Sequence, residues 1–305
     1  MTAAPLLVTG GTGLLGLHWA AACRSERPVS ITTNRRQVRL DGTTALALDL
    51  ADPAALDAAL KATGAKVVVH AAGLTSVETC ERDPDAAHQQ NVVLAENVAR
   101  AAERAGARLI HISTDHLFDG RDDLYDEDSP PRPLNVYGLT KARAEEAVLR
   151  ACPGALVLRT NFYGWGPGYR ASFSDWVLSS LRAGRRIPLF SDMRYTPTHI
   201  ASLVAAAMDL SARGVAGILH AVGDDALSKH AFGLRLCAAF GLPPSLIEDA
   251  RMADHAGLVQ RPRSMALSGD RLRALMGRGL GCVDDHLALL RTEENSPAIK
   301  EIRAK

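Results

Sequence analysis

The chain is short of cysteine, short of aromatics and carries almost no surplus charge. Among its 305 residues are five cysteines: Cys23, Cys80, Cys152, Cys237 and Cys282. They lie far apart, are odd in number and form no CxxC pair. That excludes a disulfide framework and a zinc ribbon and fits a reducing compartment. With 35 Lys plus Arg against 34 Asp plus Glu, the formal charge is +1. Such a chain has no general attraction for nucleic acid or an anionic membrane, so any anion must be held by a local site. No apolar run is long enough to span a bilayer. The start, MTAAPLLVTGG, lacks the basic and apolar regions of a signal peptide. A cytoplasmic protein is expected, with no metal, nucleic-acid or membrane partner. What is present is a 47% apolar fraction, enough for one large α/β domain or a nucleotide-binding domain with a smaller companion.

The first half alternates short apolar runs with longer amphipathic stretches. Strands are predicted at Leu6–Thr9, Val29–Thr32, Ala45–Leu48, Lys66–His70, Arg108–Ser113 and Ala155–Arg159. Helices are predicted at Leu14–Arg24, Pro53–Thr63, Pro84–Ala105 and Asn135–Ala151. Asp52 and Asp83 each precede a proline, the pattern of an N-cap before a helix, and Gly106 is a stop. Strand–helix–strand spacing implies parallel pairing through right-handed crossovers, and uniformly apolar strands imply a sheet covered on both faces. The expected fold is α/β, a Rossmann-type doubly wound parallel sheet with a smaller C-terminal α/β region. Residues 118–133 read as an acidic, proline-rich loop. Later helices are predicted at Ser172–Ala183, His199–Ala212 and Lys229–Phe240, with a strand at Gly217–Ala221. The division expected is 1–160 for the nucleotide-binding domain, 161–291 for a substrate-binding region forming a pocket over the sheet's carboxyl edge, and 292–305 for a frayed charged tail.

Between the first strand and first helix stands Thr9-Gly10-Gly11-Thr12-Gly13-Leu14-Leu15-Gly16. Gly10 permits the tight turn, Gly13 the approach of a pyrophosphate, and Gly16 close packing of helix on strand. The helix N-terminus adds unpaired N–H groups and the positive end of its dipole. This places a dinucleotide. Where an NAD site carries an acid for the ribose 2′-hydroxyl, the second strand here ends in Asn34-Arg35-Arg36. Guanidinium matches a 2′-phosphate, so NADP(H) is favoured over NAD(H); the alternative is that both arginines are a solvated turn. Asp49 and Leu50 follow the third strand, placed for the adenine, though an acid there could also cap the next helix.

Tyr137 and Lys141 open a helix four residues apart and therefore share one face. An ammonium beside a phenol stabilises the phenolate and brings its proton into working range. Ser113 and Thr114 end the preceding strand at the edge where α/β sheets bind ligands, and a hydroxyl there can hold a substrate carbonyl.

Together these residues resemble the extended short-chain dehydrogenase/reductase superfamily, and within it the dTDP-4-dehydrorhamnose reductase family of sugar-nucleotide reductases. VTGGTGLLG and YGLTK carry the superfamily likeness. HAAGLTSVETCE, HISTDHLFDG, PLNVYGLTK and, more loosely, RPRSMALSGDRL carry the family one. The resemblance implies a catalytic set of Thr114, Tyr137 and Lys141. It implies a cofactor set of Gly10, Thr12, Gly13, Leu14, Leu15, Gly16, Asn34, Arg35, Arg36, Asp49, Leu50, Ala71, Ala72, Gly73, Asn91, Ser113, Asn161 and Phe162. Thr75, Val77, His116 and Arg261 would face the substrate. The chain departs from the family at His116, where a tyrosine is usual, and in the elaborate NFYGWGPGYR stretch.

The function implied is NADP(H)-dependent reduction of a keto group, on a 4-keto-deoxy sugar nucleotide. An epimerase on the same fold stays open. A dehydratase is disfavoured because Thr114 is followed by Asp115-His116 instead of an Asp-Glu pair. A nucleotide-binding regulatory subunit is the third alternative. The partner expected is a small-molecule substrate; a homodimer stays open.

Overall fold

A computed structural model describes residues 3–34, 36–255 and 257–305. Arg35 lies outside the described residues. The chain divides into two compact units. The first takes Met1–Thr114, Asn135–Arg159 and Val204–Leu219; the second takes Asp115–Leu134, Thr160–Leu203 and His220–Lys305.

The first unit is built on a seven-stranded sheet. Its strands are β1 (Leu6–Thr9), β2 (Val29–Thr33), β3 (Thr43–Ala47), β4 (Val67–His70), β5 (Arg108–Ile112), β6 (Leu156–Arg159) and a seventh, Gly217–His220. The spatial order is seventh, β6, β5, β4, β1, β2, β3, and β1 to β6 pair in parallel. The chain winds outward from β1 through β2 and β3, then restarts at β4 on β1's other side. That reversal opens the crevice where doubly wound sheets take ligands. The helices are α1 (Leu14–Cys23), α2 (Pro53–Thr63), α3 (Val77–Arg82), α4 (Pro84–His88), α5 (Leu94–Arg104) and α6 (Val136–Ala151). On one face Leu7, Val68, Leu109 and Val157 pack with Leu56, Val98, Ala102, Ala144 and Val148. Fully burying a leucine or valine contributes roughly 1.5–3 kcal/mol, which is why β1, β4 and β6 read as near-continuous apolar runs.

Three elements depart from the sequence pattern. The single helix at 84–105 is interrupted by a π-helical turn, Gln89–Val93, where Asn91 turns inward to bond Leu74 and Thr140. Helix α3, capped by Ser76, is six residues long, too short for apolar periodicity to mark it. Late chain completes the first sheet: Gly217 donates to the Ala155 carbonyl at 2.8 Å, so both units draw on separated stretches of sequence. The charged end is helical over Pro297–Arg303, capped by Ser296 and pinned by buried Ile299 and Ile302, two apolar residues hidden among the charges.

The second unit uses short pairings. Arg194–Tyr195 lies between Leu227–Ser228 and Ser264–Met265, Phe162–Tyr163 pairs with Thr198–His199, and Ile187–Phe190 with Ile247–Ala250. Its core is aromatic: Tyr163 and Tyr195 both pack on Phe232, and Trp165 is buried near Phe240. The stretch 118–133 is a loop tied by stacking of Phe118 on Tyr125. No described helix is long and apolar enough to cross a membrane.

Candidate active site

The glycine loop is sterically compelled. Gly10 has φ +72°, and a Cβ there would stand 2.6 Å from the Ala72 nitrogen. A Cβ on Gly16 would stand 2.4 Å from the Gly10 carbonyl oxygen. Gly10 N–H donates to Thr32 Oγ1 at 3.2 Å, tying the loop to β2. Gly13 is the N-cap of α1 and supplies no side-chain cap, so the first turn keeps its amides and positive dipole end for an incoming anion. Thr12 and Leu14 are half-buried there and Leu15 is buried. A dinucleotide pyrophosphate fits this donor set.

The segment after β4 borders the loop, with Ala71 and Ala72 half-buried and Gly73 exposed. Asn91 holds it in place. Its Oδ1 accepts from Leu74 N–H at 2.7 Å, while its Nδ2 donates to Leu74 O at 3.1 Å and Thr140 Oγ1 at 3.0 Å. Asn91 therefore couples the loop after β4 to α6. Asn34 and Arg36 are exposed beyond β2, and Asp49 is exposed beyond β3, accepting from Ala51 N–H. Leu50 is buried and its carbonyl accepts from Asn97. Thr75 is exposed, and Val77 is buried in the first turn of α3.

Helix α6 starts at Asn135, whose side chain accepts from Gly138 N–H. Tyr137, Lys141 and Glu145 then recur every four residues as one buried stripe. Lys141 Nζ donates to the Ile112 carbonyl at 2.7 Å, two residues before Thr114, and lies 3.5 Å from His111 Nε2. Burial lowers its pKa from 10.5 to about 8, against the opposing pull of Glu145. The two histidines on its other side are neutral. His111 stacks on His70 at 5.4 Å, and His70 Nδ1 shares a 2.7 Å hydrogen bond with Thr9 Oγ1. Burial first, then Lys141, holds His70 down to about 3 and His111 well below its usual value.

Glu145 is itself clamped. Arg159 Nε donates to its Oε1 at 3.0 Å and a terminal Arg159 nitrogen to Oε2 at 2.8 Å, with Ser113 Oγ donating at 2.5 Å. Ser113 is therefore engaged inside the protein. Thr114 is buried immediately after it.

In the second unit, Asp115 is buried and accepts from Asn161 Nδ2 at 2.7 Å. Phe162 and His116 are half-buried. Arg261 lines a cavity of about 200 Å³ with Asp192, His255 and Arg263. Lys229, absent from the sequence-based set, sits over the rings of Tyr195 and Phe173. Also missed were His70, His111, Glu145 and Arg159. Glu145 alone had a signal, its eight-residue spacing from Tyr137.

A glycine-looped parallel sheet with a buried Tyr-x-x-x-Lys turn defines an NAD(P)-dependent oxidoreductase of the extended short-chain dehydrogenase/reductase class. More narrowly, the RmlD substrate binding domain family matches residues 4–289, and the chain belongs to it. It is 32% identical over 283 residues to the dTDP-4-dehydrorhamnose reductase of Mycobacterium tuberculosis, covering 89% of this chain and 87% of that one. It is 30% identical over 287 residues to a probable low-salt glycan biosynthesis reductase of Haloferax volcanii, covering 93% and 96%. It is also 30% identical over 278 residues to methionine adenosyltransferase 2 subunit beta of Xenopus laevis, covering 88% and 81%. In fold it is similar to a dTDP-4-dehydrorhamnose reductase of Bacillus anthracis in complex with NADP, with TM-score 0.85, 22% identity and coverage of 96% and 100%. Other structures of similar fold hold NAD.

Proposed function

We propose that the chain is an NADP(H)-dependent reductase of a keto group on a nucleotide-linked deoxy sugar. The observation that carries this is the Tyr137–Lys141–Glu145 stripe, with the Lys141 ammonium anchored on the Ile112 carbonyl beside Thr114. The reductase names of the Mycobacterium and Haloferax relatives support it. The first unit holds the cofactor and the second the substrate. The loop at Gly10, Gly13 and Gly16 takes the pyrophosphate, Arg36 faces the 2′-phosphate, and Ala71 to Gly73 line the cofactor. When bound, the nicotinamide supplies the hydride. Tyr137 delivers the proton to the carbonyl oxygen, Thr114 orients that oxygen, and Lys141 stabilises the phenolate left behind. Thr75, His116 and Arg261 contact the substrate.

The test is NADPH oxidation by the full chain with 4-keto-6-deoxy sugar nucleotides and simple ketones as substrates. Wild type turns over at least one sugar nucleotide, and Tyr137→Phe loses about 10²–10⁴-fold in kcat, the usual share of a positioned proton donor. No turnover across the panel overturns the reading. A second reading is favoured by the likeness to an adenosyltransferase beta subunit: a nucleotide-binding subunit of another enzyme. Tyr137→Phe separates the two, because a subunit of this kind keeps its cellular role without the phenol.

A further inference from the structure

The second unit contains an ammonium that the protein seats and does not satisfy. Lys229 is the first residue of the helix Lys229–Phe240, after the cap Ser228. Its Nζ lies 3.6 Å from the centre of the Tyr195 ring and 4.3 Å from that of Phe173. Two aromatic faces fix the position of a cation. They leave its three N–H donors unused, and the ammonium has no hydrogen bond or ion pair among the described residues. The residue as a whole is half-buried, while its ammonium is enclosed by the aromatic cluster.

The surroundings are rich in donors. The hydroxyls of Tyr195 and of Tyr163, which packs on the same Phe232, are buried with no hydrogen-bond partner among the described residues. The carboxylate near enough to act on Lys229 belongs to Asp115, and that group already takes the Asn161 amide at 2.7 Å. Burial outweighs Asp115 and lowers the Lys229 pKa from 10.5 to about 8. A pre-seated cation with unmet donors is complemented by an acceptor-rich group.

We infer that Lys229, seated on Tyr195 and Phe173, is a specificity-determining anchor for an anionic oxygen group of the substrate, a phosphate or a carboxylate. The inference rests on the reductase reading for the word substrate, but its test does not use turnover. Binding of dTDP and of glucuronate to the full chain, each by calorimetry, separates the two sources of anion; thymidine and glucose are the neutral controls. One anion binds wild type, is weakened about tenfold or more by Lys229→Met and is restored to within a few-fold by Lys229→Arg, as expected for one charge-assisted contact. The controls do not distinguish the variants. In parallel, wild-type protein is labelled with acetic anhydride and Lys229 is followed by peptide mass spectrometry, which needs no variant to fold. The bound anion slows labelling several-fold. Equal binding by wild type and Lys229→Met, binding of neither anion, or unprotected labelling overturns the inference. If NADPH oxidation fails while these results hold, the reductase reading falls and the anion site stands.

Discussion

Lys141 is expected to cost the protein stability at neutral pH. A fall in pKa from 10.5 to about 8 in a group this buried corresponds to about 3 kcal/mol of unfavourable burial of the ammonium. Replacing it with methionine removes that penalty and loses the hydrogen bond to the Ile112 carbonyl, which contributes about 1–2 kcal/mol. Lys141→Met is therefore about 1–2 kcal/mol more stable than wild type at pH 7, while kcat falls by orders of magnitude. The pH dependence has a fixed sign. Below about pH 8 both native and unfolded lysine are protonated and the full penalty applies. Between about 8 and 10.5 the unfolded chain holds the proton and the native chain does not, so wild-type stability rises with pH relative to the variant. The slope approaches about 1.4 kcal/mol per pH unit near pH 9. Urea denaturation of both proteins from pH 6.5 to 9.5 measures the difference, and other titrating groups, Lys229 among them, cancel. A pH-independent difference, or a variant several kcal/mol less stable at pH 7, would refute the account of Lys141 as a desolvated cation.

Two further outcomes concern the cofactor. Gly16→Ala places a methyl 2.4 Å from the Gly10 carbonyl and costs roughly 1–3 kcal/mol, and it abolishes the rise in melting temperature that NADPH gives wild type. Retention of that rise would show that the loop does not grip the pyrophosphate. Arg36→Ala raises KM for NADPH about tenfold and leaves KM for NADH unchanged, as the loss of one phosphate contact demands; equal effects on both cofactors would mean Arg36 does not face the 2′-phosphate.

The parallel sheet was legible because buried strands are written as continuous apolar runs and the helices between them carry their caps: Asp52, Asp83 and Asn135 cap the helices they precede. The glycine loop was legible because its spacing between a strand and a helix is itself a pattern, although the Gly10 clash with Ala72 is tertiary. What stayed hidden is polar and long-range. Arg159 reaches Glu145 only because β6 lies beside β5 under α6, and no local pattern announces that pairing. His70 and His111 meet across β4 and β5 at a register that periodicity does not reveal. The seat of Lys229 is assembled from positions 173 and 195, more than thirty residues upstream. The π turn at Gln89–Val93 hides inside an unbroken helical pattern because its cause, Asn91 reaching Leu74 and Thr140, is tertiary.

Glu145 decides how far the charge of Lys141 can be separated from the stability of the fold. The carboxylate is buried with Arg159, and removing one member of such a pair costs about 3–5 kcal/mol because the other charge is left unpaired. Glu145→Gln alone is therefore destabilised by that order. Adding Arg159→Met removes the orphaned cation and restores stability to within about 2 kcal/mol of wild type. It does not restore the field that Glu145 exerts, which raises the pKa of Lys141 against its desolvation. The double variant is thus folded with a lysine whose pKa lies below about 8. Since the phenolate of Tyr137 needs a charged neighbour, the alkaline loss of kcat/KM begins at lower pH than in wild type, by roughly one pH unit for a charge one helical turn away. Coincident pH profiles in a folded double variant would mean that the Glu145–Arg159 pair holds α6 to the sheet and has no electrostatic hold on Lys141.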